Sequence, residues 1–162
     1  MAGVQSSVGT VPKAGVPGMK YDCSDMQVDT RIATTVIPFG AFVTIVGENC
    51  AVPGLTTDVT AALIGIALLD EEKPSGGSLS AGVGYAIGDP VRVMRRGRCW
   101  VTPEEGTAVA GFGPFARFTA AGGNVAGGIR SDADTAKAVA IPHAHYVTGI
   151  FDTVAVLELN LP

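Results

Sequence analysis

Three seven-residue stretches of the chain share one template: FGAFVTI from residue 39, IGDPVRV from residue 87 and FGPFARF from residue 112. Each opens with an apolar residue and a glycine, passes two linker positions and closes on an apolar–polar–apolar triplet. The triplets are Val43-Thr44-Ile45, Val91-Arg92-Val93 and Ala116-Arg117-Phe118. A glycine-led turn feeding a half-buried strand produces this pattern. The copies are too short and too unevenly spaced for a solenoid, so they predict many short strands closed into one barrel or sandwich. Composition agrees. Glycine accounts for 22 and proline for 10 of 162 residues, and only 16% are charged, against roughly 25% in an ordinary globular protein. The hydrophobic share of 47% is too high for a disordered chain. The length fits one domain with a real core.

The expected organisation is a Gly/Pro-rich extended arm over residues 1–30 and a single β domain over residues 31–162. Gly3, Gly9, Pro12, Gly15, Pro17 and Gly18 break helices and interrupt strands in the arm. The arm is either a loose terminus or a strap across a neighbouring subunit. A strand is predicted through Ala41–Val46, rich in β-branched and aromatic residues. TAALIGIALLDEE, residues 60–72, suits a helix by its alanine and leucine content but a buried strand by Ile64, Gly65 and Ile66; we assign a strand. VAVLELNLP forms a terminal strand. The total is about eight to ten short strands, within the range of one all-β domain.

AIGDPVRVMRRGRCWVTPEEG reads as a hairpin with its turn near Arg95-Arg96-Gly97-Arg98. Val91, Val93, Cys99 and Val101 face inward; Arg92, Met94 and Trp100 face outward. This stretch holds four of the eleven basic residues of a chain whose formal net charge is −4. A nucleic-acid site usually shows a basic domain with interleaved aromatics, and this chain has an isoelectric point near 5.0. The default reading is a solvated tip. The favoured functional reading is protein docking by Arg92, Arg95, Arg96 and Arg98, with Trp100 as an anchor.

Catalytic signatures are absent: the sequence has no GxSxG, HExxH or phosphate-loop motif. His143 and His145 share a strand face, with Asp152 the nearest carboxylate in sequence, but two ligands without a partner motif favour surface histidines over a metal site. Cys99 with either histidine would make a nucleophile–base pair only if the fold brought them together. Asp132 and Asp134 lack calcium-loop spacing and read as a solvated turn. Cys23, Cys50 and Cys99 are odd in number and without CxxC spacing, which fits structural thiols in a reducing compartment. No run reaches a membrane span, and the N-terminus lacks the pattern of a secretory signal.

The ordered series VIPFGAFV, LIGIAL, YAIGDPVRVMRRGRCWV, GPFARFTAAGG, IRSDADTAKAVAIPHAHYV and VAVLELNLP resembles the structural cement (decoration) proteins of tailed-bacteriophage capsids. The resemblance spans nearly the whole chain. It implies an all-β, jelly-roll or barrel-like β-sandwich that binds the outer surface of an icosahedral head as a dimer or trimer. The implied partner is the major capsid protein; no enzyme activity, cofactor, metal, nucleic acid or membrane is implied. It places the protein on the virion, assembled in host cytoplasm. The alternative reading is a carbohydrate- or receptor-binding β-module, for which Trp100, Tyr85 and Tyr146 are the available aromatics.

Overall fold

A computed structural model describes residues 14–22, 25–54, 63–70, 84–134 and 136–161. Among them there is no helix and there are twelve strands: β1 Gln27–Ala33, β2 Ile37–Pro38, β3 Phe42–Val46, β4 Asn49–Ala51, β5 Leu63–Ala67, β6 Gly84–Tyr85, β7 Pro90–Val101, β8 Phe115–Arg117, β9 Ile129–Arg130, β10 Ala138–Ala140, β11 Ala144–Tyr146 and β12 Ala155–Asn160. The strands expected in Ala41–Val46, in residues 60–72 and at the C-terminus are β3, β5 and β12. Cys23, the first thirteen residues of the expected arm and residues 71–83 lie outside the described residues.

Strands β1, β4, β3, β5 and β7 pair in that order, and β7 pairs back to β1. This closes a five-stranded barrel. One seam is parallel, Ile32 opposite Asn49 and Ala33 opposite Cys50; the others are antiparallel. Closure removes the free edges that would invite aggregation. At the β5–β7 seam, a Cβ on Gly65 would overlap Val93 and crowd the Met94 carbonyl at 2.7 Å, so only glycine admits this approach. Beyond the barrel, β7 continues against β12, which pairs with β11.

The expected hairpin at Arg95–Arg98 is not formed. Residues 90–101 are one twelve-residue strand. Its backbone is paired on both sides, by β1 over Pro90–Arg96 and by β12 over Arg96–Val101. Those partners stabilise extension where the local residues alone would suit a turn. Gly97 does take a positive φ of 127°, but it serves a local distortion. The register shifts there, with Gln27 opposite Arg96 and Val28 opposite Met94, which leaves Arg95 as the extra residue of a bulge.

Three apolar clusters result. The barrel interior holds Ala33, Ile37, Val43, Ile45, Val91 and Val93. A second core lies between the barrel's outer wall, through Phe42, Ile64, Ile66 and Met94, and the added layers, through Ala116, Ile129, Leu157 and Leu159. Met94, expected outside, is buried here because β8, β9 and β10 form a further sheet over that wall. The third cluster joins Trp100, Val154 and Val156. Thus β12 is buried on both faces.

Arg117 and Arg130, the buried charges of the small sheet, are clamped by carboxylates. Arg117 Nε donates to Glu104 at 2.7 Å and Nη2 to Glu105 at 3.0 Å. Arg130 meets Glu105 at 2.8 Å, Asp132 at 3.0 Å and Asp134 at 3.2 Å. Asp132 and Asp134, expected in a solvated turn, lie in and just after the bend at Ser131-Asp132 with Asp132 exposed, and both also hold Arg130. Burial pulls the Arg117 guanidinium down, but its bonds to Glu104 and Glu105 more than offset this and leave it above its ordinary value. Removing a buried charge's partner costs more than replacing the charge by a shape-matched apolar chain. We expect Glu104→Ala to destabilise the protein by about 3 kcal/mol, and Arg117→Met to cost less. Urea unfolding monitored by circular dichroism measures both.

Four buried acids give the fold an alkaline limit. Burial pushes the Cys99 thiol and the Tyr146 and Tyr85 hydroxyls up to about 12, and Cys50 to about 11 against the lowering charge of Arg31. Unfolded thiols and phenols ionise near 8.5 and 10. Each raised group stabilises the fold fully below its unfolded value, and that contribution is lost as pH rises through the folded one. The melting temperature should be flat from about pH 6 to 8 and fall progressively between about pH 9 and 12.

Candidate docking surface

The five residues expected to dock a partner lie along β7 in three different environments. Arg92 and Arg96 are exposed and form no ion pair among the described residues. Arg95 is half-buried at the bulge. Arg98 is tied within the chain, its Nε 2.5 Å from Glu158 and its Nη1 3.2 Å from Asp22. The Glu158 hydrogen bond is the main cause that raises its pKa above the ordinary value.

Trp100 is covered rather than presented. It is 8% exposed and lies under the chain's own residues 14–21. Tyr21 meets its ring edge-on at 5.5 Å, and a Cβ on Gly15 would overlap the indole. Glycine at 15 is what lets the segment lie flat on the ring. Gly18 N–H donates to the Trp100 carbonyl at 2.8 Å, Trp100 N–H to Met19 at 2.9 Å, and Tyr21 N–H to Arg98 at 3.1 Å. The expectation that Trp100 faces outward is therefore corrected: a segment before β1 acts as an extra strand on β7 and closes over it.

Where this segment meets β1 and β7, it borders a cleft of about 620 Å³ lined by Lys20, Thr30, Leu68, Leu69, Asp70 and Arg92. Lys20 is exposed and, like Arg92, has no ion-pair partner among the described residues. The lining sets two cations, Lys20 and Arg92, beside the carboxylate Asp70 and leucine surface.

Sequence reasoning also missed apolar side chains at the two ends of the molecule. Ile87 is 68% and Val46 71% exposed. They are brought near exposed Ile32 because Ile32 N–H donates to Glu48 at 2.9 Å and Gly88 N–H to Ala33 at 2.8 Å. The signal was present: Val46 precedes a Gly-Glu turn, and Ile87 precedes Gly-Asp, where polar residues are usual.

Reactive chemistry has little to work with. Cys99 is fully buried, and its raised pKa leaves almost no thiolate at neutral pH. His143 and His145 are exposed. Among the described residues, no three His, Cys, Asp or Glu side chains gather as metal ligands. Tyr85 and Tyr146 are fully buried, with hydroxyls bonded to Leu68 at 2.8 Å and Arg130 at 3.1 Å. Together with covered Trp100, they offer a sugar no stacking platform. In a Cys23→Ser background, we expect the native protein to resist thiol labelling at pH 8 and to react at two sites once unfolded. A fast native reaction at Cys99 would contradict its burial.

A closed barrel with Tyr85, Tyr146 and Trp100 turned inward, and with single cations and apolar side chains that include Tyr21, Phe112 and Phe151 exposed, defines an all-β module. A family model described as Structural cement protein (E217 gp24/Pam3 gp6) matches residues 4–160, and the chain belongs to that family. Among solved structures, a chain from "The capsid of Myoviridae Phage XM1" has the same fold, with a TM-score of 0.70 at 18% identity. The likeness covers 99% of this chain and 98% of that one. No curated protein is a significant match. The family match supports a structural cement role, and the neighbour shows the fold.

Proposed function

We propose that the protein binds the outer surface of an icosahedral phage head as a homo-oligomer and stabilises contacts between capsomers of the major capsid protein. The observation that carries this reading is the family match over residues 4–160, which takes in every strand of the described fold. The work is adhesive and needs no catalysis or cofactor. A surface with few charges costs less to desolvate at a seam, and weak contacts repeated on a lattice add as avidity. Nucleic acid is a poor partner for a chain of net charge −4. The reading locates the protein on the virion exterior, with assembly in host cytoplasm.

The arginine stretch keeps a part in this proposal, divided by environment. Arg92 and Arg96 face the shell directly, with Lys20 beside Arg92 in the cleft. Arg95, Arg98 and Trp100 shape that face by holding the bulge and the covering segment in place. Cosedimentation with mature shells tests the reading. Shells carrying the protein should break at a higher temperature than bare shells; equal fragility would count against cementing. Arg92→Ser with Arg96→Ser should lower shell occupancy severalfold and flatten its salt dependence. Unchanged occupancy and salt response would remove these arginines from the contact.

A further inference from the structure

The parallel seam that closes the barrel is short, and one stretch of β1 escapes it. Strand β4 pairs only with Ile32 and Ala33, whereas β7 pairs with β1 from Gln27 to Ile32. Bonds toward an antiparallel neighbour alternate along a strand. Ala33 N–H donates to the Asp89 carbonyl at 2.9 Å, while Ile32 N–H turns the other way, to Glu48 at 2.9 Å. Pro90, opposite Ile32, has no N–H to give. Thr30 lies opposite Arg92, and Arg92 uses its carbonyl on its far edge, accepting from Leu68 N–H at 2.8 Å. Thr30, and Val28 in the same phase, therefore point N–H and C=O away from β7, into the row where β4 is already out of reach. Among the described residues neither has a hydrogen-bond partner on that side. Thr30 is exposed and Val28 half-buried.

We propose that β1 receives an extended segment of a partner protein as an added strand along Val28–Thr30. An open strand edge is a template for pairing, and extended backbone carries donors and acceptors at the spacing of alternate strand residues. The flanks say what the segment carries. Thr30 lines one cleft with Arg92, Lys20 and Asp70. An incoming residue beside Thr30 stands two strand spacings, roughly 10 Å, from Arg92. The small threonine between them lets a glutamate there reach the guanidinium. On the opposite face Arg31 is already held by Asp29 at 3.3 Å and Glu48 at 3.5 Å, so a further carboxylate is disfavoured. The fitting segment has one outward glutamate and uncharged residues on either side of it.

A second copy of the chain is the poorer occupant. The antiparallel register that engages both residues sets Val28 against Thr30 of the copy and Asp29 against Asp29, and like charges directly opposite destabilise a sheet. The open stretch ends at the bulge between Gln27 and Val28 on one side and at the Glu48 carbonyl on the other. One such contact is weak alone and gains from repetition on a lattice.

This inference deepens the proposed function and rests on it for the partner, a segment of the shell. Hydrogen exchange of the full chain, read amide by amide, tests it free and on mature shells. In the free protein the Thr30 amide should exchange fast while Asp29 and Arg31, bonded to β7, exchange slowly; on shells Thr30 should slow by roughly tenfold or more. Thr30→Pro removes the outward N–H and leaves the bonds to β7 in place. It should melt near the wild type and lose roughly tenfold in shell occupancy by cosedimentation. Thr30→Val keeps the N–H and should bind like the wild type. A folded Thr30→Pro that binds normally, or a Thr30→Val as weak as the proline variant, would sink the inference. So would Thr30 protection already present in the free chain, which assigns the edge to the chain's own residues, or protection that grows with concentration without shells, which assigns it to a second copy. The exchange readout on the wild type decides alone if Thr30→Pro does not fold. Shell binding without protection at Thr30 refutes this edge and spares the cement reading; a wild type that ignores shells brings down both.

Discussion

Strand β7 has a hydrogen-bonded neighbour along nearly all of both edges, and each part of the fold is attached to it. Its first half closes the barrel against β1 and β5, and its second half carries β12 and the covering segment at Gly18–Tyr21. One continuous strand thus belongs to two structures. The bulge at Arg95 and the positive φ of Gly97 fall where the strand passes from one to the other. A bulge adds local twist, which lets the two halves of β7 present buried faces to different cores without breaking the ladder.

The chain ties four of its arginines to its own carboxylates. Arg31, Arg98, Arg117 and Arg130 are each held by carboxylates of the same chain, although Arg117 and Arg130 could have been surface groups in a less layered fold. The echo triplets show why. In β7 the polar centre, Arg92, faces solvent, as a half-buried strand requires. In β3 the centre, Thr44, is buried and bonds the Ala51 carbonyl at 3.3 Å. In β8 it is Arg117, buried in the carboxylate clamp. One local pattern met three environments, because β3 and β8 are covered on both faces and this part of β7 on one.

That difference marks what was legible in the sequence. Strand identity came through where β-branched residues were dense, as in β3 and β5, and in the alternating terminal run of β12, and the all-β class followed from glycine-led turns. Closure did not, because the parallel β1–β4 seam and the β1–β7 return are long-range pairings with no local mark. The same blindness produced the false hairpin. Arg-Arg-Gly-Arg carries a turn's composition, and the partners that hold it straight lie 60 residues on, in β12, and 60 to 70 residues back, in β1. Trp100 was misplaced for a related reason: the residues that cover it precede β1. Of the docking residues singled out from sequence, Arg92 and Arg96 are exposed and unpaired among the described residues, and the apolar loops at the two ends were missed because isolated exposed apolar residues are ordinary until folding gathers them.

The gathering has a geometric consequence for adhesion. Ile87 lies three residues before β7, and Phe151 four residues before β12, where that strand meets Val101. The two apolar ends are therefore separated by the length of one twelve-residue strand, about 35 Å. That distance is spanned by a ladder paired on both edges, a stiff element rather than a linker. In the proposed cement role, a stiff body with an apolar group at each end would transmit force between whatever the ends hold and lose little entropy when the second end engages. In that role, the cations Arg92 and Lys20 of the cleft, which Asp70 also lines, would set orientation while the apolar ends supply adhesion. Resistance to separation then comes from the backbone ladder of β7, which would have to shear along its length before the two ends could part.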